Sequence, residues 1–105
     1  MKVYEHPEID EIALPTVMQA LSDPCRITIV RELILKDRAL ACNEVPLDIS
    51  KATRSHHFEV LRNAGLVSTE VEGTKCMTSL RKEEIDARFP GLLGLVAAAS
   101  EVVSS

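Results

Sequence analysis

The sequence predicts a mainly α-helical fold carrying one small β-hairpin. Three observations lead there. The 105 residues are 46% hydrophobic but only 3% aromatic, without tryptophan, and a core of Leu, Val, Ile and Ala suits helix packing better than a β-sandwich. Two helix-start signals, Ser22-Asp23-Pro24 and Asp48-Ile49-Ser50, precede apolar stripes at helical spacing. After Gly65 the pattern shortens to alternating and β-branched residues on either side of Gly73-Thr74, as in two strands joined by a tight tip. The length fits a single domain spanning residues 1–105.

Taken in order, residues 1–8 read as a loose arm punctuated by Pro7. From Ile9 to Leu21, the residues Ile9, Ile12, Ala13, Val17, Met18, Ala20 and Leu21 recur at helical spacing, and Pro15 either divides the stretch or starts a helical turn. A Ser or Asp cap followed by proline, which needs no N–H in the first turn, opens a second helix that runs to about Leu35. Ile27, Val30, Leu33 and Ile34 form its expected buried stripe. Lys36-Asp37-Arg38 breaks it, and a short third helix is expected within Cys42–Leu47, limited by Pro46.

The next helix starts after Ser50, the better cap, and reaches Asn63 or Ala64, where Gly65 supplies a left-handed stop. On a 3.6-residue wheel, Thr53, His57, Val60, Leu61 and Ala64 share one arc, with Arg54 and Phe58 at its edge. Lys51, Ala52, Ser55, Glu59 and Arg62 lie opposite, flanked by His56. Strands are expected at 66–72 and 75–80. A last helical region, 81–105, contains Ile85 and Phe89, restarts at Pro90, and continues through Leu92, Leu93, Leu95, Val96, Ala99 and Val103. GLLGLVAAASEVV is too apolar to stay exposed in a monomer of this size, so it calls for a subunit interface.

The net charge of −4 argues against nucleic acid for the chain as a whole. Phosphate contact needs only a local basic face, however, and residues 50–65 hold Lys51, Arg54 and Arg62 against Glu59. Three widely spaced cysteines without a CxxC do not make a secreted disulfide framework. The acidic N-terminus lacks a signal-peptide core, and no apolar run approaches the roughly 20 residues of a membrane span. These features predict a soluble, cytoplasmic protein with no membrane partner.

The order of elements matches a winged helix-turn-helix. Within it, ALSDPCRITIVREL, ISKATRSHHFEVLRNAGLV and VEGTKCMTSL resemble the second-helix entry, recognition helix and wing of the ArsR-type (arsenic-repressor-like) regulators. The resemblance runs from about Leu14 to Leu93, and its most specific piece is Ser55–Val67, which joins helix signature, stop glycine and first wing strand. It implies a homodimer built from the first and last helices. Two recognition helices would then enter successive major grooves of a palindromic operator, with half-sites about 34 Å apart, to repress transcription.

The expected DNA contacts are Ser50, Lys51, Thr53, Ser55 and His56, although Ser50 is also explained as a cap alone and Thr53 as a core-edge residue. Arg54 stands where the family more often has an apolar residue, so it reaches either a phosphate or an acidic partner within the protein. Lys75 is the best contact in a wing made acidic by Glu70 and Glu72, and His57 reads as a buried structural histidine. No metal is expected. The region resembling the family's thiolate site offers Cys42 alone, and residues 81–105 contain neither His nor Cys. Cys25, beside Arg26 in the first turn of a helix, and Cys42 are redox candidates for a thiol-switched repressor, although free cysteines are usually apolar fillers. A winged module that binds protein instead of DNA is the other alternative. No phosphate loop or nucleophile motif points to an enzyme, and no cofactor or effector is indicated.

Overall fold

The computed structural model describes residues 4–99. Among them are five α-helices and three strands, in the order α1 (Leu14–Ala20), α2 (Pro24–Lys36), β1 (Leu40–Ala41), α3 (Lys51–Asn63), β2 (Val67–Glu72), β3 (Lys75–Leu80), α4 (Lys82–Arg88) and α5 (Leu92–Ala98). Val103, part of the expected final stripe, lies outside the described residues.

Local chemistry accounts for most boundaries. The stretch 9–21 is divided: a 3-10 turn at Ile9–Glu11 gives way to extended Ile12 and Ala13, and Pro15 then sits in the first turn of α1. Asp23 caps α2, accepting hydrogen bonds from the amides of Cys25 (2.8 Å) and Arg26 (3.3 Å). The Ser22 hydroxyl instead donates to the Gln19 carbonyl. α2 ends where Asp37 turns left-handed at φ 53°, a conformation that Asp tolerates better than most residues. Its buried residues are Ile29, Val30 and Leu33, with Ile27 and Ile34 only partly covered. The stripe is broader and rotated from the one expected because α2 packs against α3, α5 and β3 together.

The expected third helix within Cys42–Leu47 is a single 3-10 turn, Cys42–Glu44. Pro46 prevents its extension, and the Glu44 carboxylate ties the turn by accepting from the Ala41 amide and from Arg38. Immediately before it lies a strand that the pattern did not announce. β1 pairs antiparallel with β3, Leu40 opposite Thr78 and Ala41 opposite Met77, so the hairpin grows into a sheet of order β1-β3-β2. The hairpin itself pairs Val67 with Leu80 through Glu72 with Lys75, and Gly73 takes φ 64° at its tip.

The core joins Val17, Ile29, Val30, Leu40, Val45, Leu61, Leu66, Val67 and Ile85, each at most 2% exposed, so it draws on α1, α2, the sheet, α3 and α4. Gly65 closes α3 at φ +86°, and Ile12 lies so close that no side chain fits between them.

The N-terminal arm departs most from expectation. Residues 4–8 are pinned, not loose. The His6 Nε2 accepts the Thr69 amide at 3.0 Å, and Arg81 donates to the Pro7 carbonyl at 2.8 Å. The Tyr4 hydroxyl meets the Cys76 sulfur at 3.2 Å, and Arg62 stacks over the Tyr4 ring. The cause is an edge: β2 is an outer strand, so its outward amides need acceptors from beyond the sheet, and His6 supplies one.

Candidate nucleic-acid interface

α3 is amphipathic, and its two faces have separate tasks. His57, Phe58, Leu61 and the capping Ala64 are buried, fixing the helix on the core. Lys51, Ala52, Thr53, Ser55, His56 and Glu59 are exposed, so the first two turns present small or polar side chains to solvent. Ser50 caps the helix: its Oγ accepts the Thr53 amide at 3.2 Å and donates to the Thr53 Oγ1 at 2.9 Å. Ser50 and Thr53 thus lock the entry turn while remaining exposed.

Within the protein Arg54 meets backbone carbonyls and not the expected acidic partner. Its Nη1 donates to the carbonyls of Cys42 (2.9 Å) and Val45 (2.7 Å), and its Nη2 donates to that of Leu47 (2.8 Å). These carbonyls belong to the connection ahead of α3, where the 3-10 turn and Pro46 leave backbone oxygens without helical partners. Arg54 therefore joins the turn to the helix that follows it, through three of its N–H donors. Arg62 is likewise engaged, by Tyr4. Of the three basic residues in the segment, only Lys51 stands clear on the exposed face.

His57 is 7% exposed and its Nδ1 lies 3.2 Å from Arg26 Nη1. Arginine can only donate, so Nδ1 accepts and the neutral ring carries its proton on Nε2. Arg26 is held in turn by its Nε on the Ala20 carbonyl, at 2.6 Å. The chain α1–Arg26–His57 thus sets how α3 seats against α2. Lys75 is exposed near the wing tip, paired across the strands with Glu72 and on the same hairpin as exposed Glu70, far in sequence from the α3 cluster.

The cysteines separate. All three are free and half-buried. Burial, and then the neighbouring Cys76, push the Cys42 thiol above its ordinary pKa. A raised pKa leaves less thiolate at a given pH, and a thiol is a poorer nucleophile than its thiolate. Cys25 lies in a cluster that sequence spacing concealed: donor atoms of Asp23, Cys25 and His57 all lie within 4.8 Å of one another. The expectation that no metal-ligand set exists rested on the positions that the family resemblance suggested and on the wide scatter of the histidines and cysteines along the chain. The fold instead brings together residues 32 and 34 apart, which spacing along the chain cannot reveal.

No family model matches the chain. Its relatives are nevertheless clear. It is 38% identical to the uncharacterized HTH-type transcriptional regulator YceK of Bacillus subtilis (strain 168), over 73% of this chain and 79% of that one. It is 35% identical to an arsenical resistance operon repressor of Staphylococcus xylosus, over 70% of each. In three dimensions it resembles the crystal structure of an ArsR family transcriptional regulator, with a TM-score of 0.64 and 23% identity, covering 88% of this chain and 97% of that one. No described helix is long and apolar enough to cross a membrane. Five helices around a three-stranded antiparallel sheet form the winged helix-turn-helix, and with these sequence identities the chain belongs to the ArsR family of HTH-type transcriptional regulators, not to a family of enzymes.

Proposed function

We propose that this regulator binds duplex DNA in a sequence-selective manner as a homodimer and represses transcription from a palindromic operator. The observation that carries the reading is the exposed row on the opening turns of α3, Ser50, Lys51, Thr53, Ser55 and His56, backed by a face that is buried. Side chains of this kind fit a major groove: Lys51 reaches a phosphate or a guanine edge, and Ser55 and His56 hydrogen-bond to base edges. Arg54 is left outside this set, since three of its N–H donors are held by backbone carbonyls of the preceding turn. The wing adds little, because Glu70 and Glu72 repel phosphate and leave Lys75 as its single contact.

Dimerisation is supported by the apolar side chains left at the surface. Leu14 and Met18 on α1 are 47% and 53% exposed, and Leu95 on α5 is 65% exposed. Apolar groups on these first and last helices suit a self-complementary interface. A selection from random duplexes by gel shift, with oligomeric state measured by sedimentation, tests both parts. The expected result is a dimer that enriches a two-fold-symmetric site, and Lys51→Glu folds normally but loses affinity at least 10-fold. A folded wild-type dimer that enriches no sequence at low salt overturns the reading.

A further inference from the structure

We propose that Asp23, Cys25 and His57 form a binding site for a borderline-soft divalent cation such as Zn2+, bridging the start of α2 to the buried face of α3. One thiolate, one imidazole and one carboxylate make a donor set that zinc favours. Their donor atoms already lie within 4.8 Å of one another. A tetrahedral ion with bonds of about 2.0–2.3 Å has ligand–ligand edges of about 3.3–3.8 Å. The longest separation therefore has to close by roughly 1 Å or a little more, which side-chain rotation supplies without moving either helix.

Each ligand has capacity to spare. Asp23 uses Oδ1 for both capping hydrogen bonds, so its second oxygen is available. Cys25 is half-buried and free of any disulfide. His57 is more than nine-tenths buried, and its Nε2 has no hydrogen-bond partner among the described residues. The opposing group is Arg26, whose Nη1 meets His57 Nδ1. When either ring nitrogen takes the ion, Nδ1 either ligates or carries the proton, so this hydrogen bond is released. Arg26 keeps its anchor on the Ala20 carbonyl. The thiolate and carboxylate together neutralise the divalent charge, and three protein ligands leave a fourth position for water. Binding expels the thiol proton, so affinity rises with pH. His57 lies two residues beyond Ser55, so an ion here grips the recognition helix directly behind its exposed turns.

Cobalt is the probe, because Co2+ adopts the same tetrahedral geometry and absorbs. Titrating the full chain without DNA, we expect thiolate-to-cobalt charge-transfer absorption with tetrahedral visible bands, saturating at one ion per chain and abolished by competing Zn2+. Cys25→Ser, with an unchanged circular dichroism spectrum, removes the charge-transfer band. Asp23→Asn, which keeps the helix cap, weakens binding about 10-fold or more. Cys42→Ser and Cys76→Ser leave the spectrum unchanged. Absence of the band in the wild type, its survival in Cys25→Ser, its loss in Cys42→Ser, or unchanged affinity in Asp23→Asn each overturns the proposal. Because no DNA is present, these results stand apart from the test of operator binding.

Discussion

Replacing Arg54 with methionine keeps a long, helix-compatible side chain and removes only the guanidinium. Three hydrogen bonds then disappear, those to the carbonyls of Cys42, Val45 and Leu47 at 2.7–2.9 Å. A hydrogen bond from a charged donor contributes about 1.5–3 kcal/mol when buried. Arg54 is only half-buried and water can rehydrate the released carbonyls, so about 1 kcal/mol each is the better figure, or about 3 kcal/mol in all. For a domain of about this size each kcal/mol moves Tm by about 4–8 °C, so Tm should fall by about 12–24 °C. That is a large part of a typical stability of about 5–15 kcal/mol. Thermal unfolding followed by far-ultraviolet circular dichroism, at one fixed protein concentration, provides the measurement. Arg54→Lys, able to satisfy about one carbonyl, should fall between the two. If Arg54→Met leaves Tm within about 3 °C of wild type while DNA affinity drops, the guanidinium is a phosphate contact and the clamp argument fails.

Three further outcomes are expected. Gly65→Ala should cost about 2–5 kcal/mol in urea denaturation, combining about 1–2 for a left-handed non-glycine residue with about 1–3 for crowding Ile12; a loss below about 1 kcal/mol would show that the α3 stop relaxes freely. Burial, then Arg81 and Arg62, hold the His6 pKa below its ordinary value, so the unfolded chain takes up this proton before the folded one does. Stability from His6 is therefore complete above about pH 6.5 and declines as pH falls below it. Glu44 and Glu84, lowered first by Arg38 and Arg81 respectively, lose their share only at more acidic pH. The urea midpoint of His6→Gln should accordingly change less between about pH 7.5 and 5.5 than that of wild type, and parallel changes would remove His6 as the cause. In DNA binding, Lys51→Ala should flatten the dependence of log K on log salt by about 0.9 per phosphate contact, about 1.8 for a dimer, whereas Lys75→Ala should change it by no more than that. An unchanged slope for Lys51→Ala would place that side chain away from phosphate.

What the sequence determined by itself is what short-range chemistry controls. Capping at Asp23 and Ser50, the left-handed stop at Gly65 and the hairpin tip at Gly73 each depend on a few adjacent residues, so α2, α3 and the wing strands were legible almost to their ends. Most of the exposed row was legible too, since helical periodicity set Lys51, Ala52, Ser55 and His56 opposite the core arc; Thr53, which the wheel put on that arc, is exposed because it stands at the helix entry, ahead of the turns that pack on the core. Tertiary structure decided whatever depends on groups far apart in the chain. A two-residue strand such as β1 is too short to show a period, and it exists because β3 offers it an edge. The arm is held because β2 has unpaired outward amides, which a polar N-terminal stretch does not reveal. Arg54 turned to protein because the carbonyls of Cys42, Val45 and Leu47 converge on it across a proline-broken turn, an arrangement visible only once the turn is folded. Asp23, Cys25 and His57 became neighbours for the same reason: α2 and α3 pack together, and packing brings into contact residues that nothing in their spacing connects.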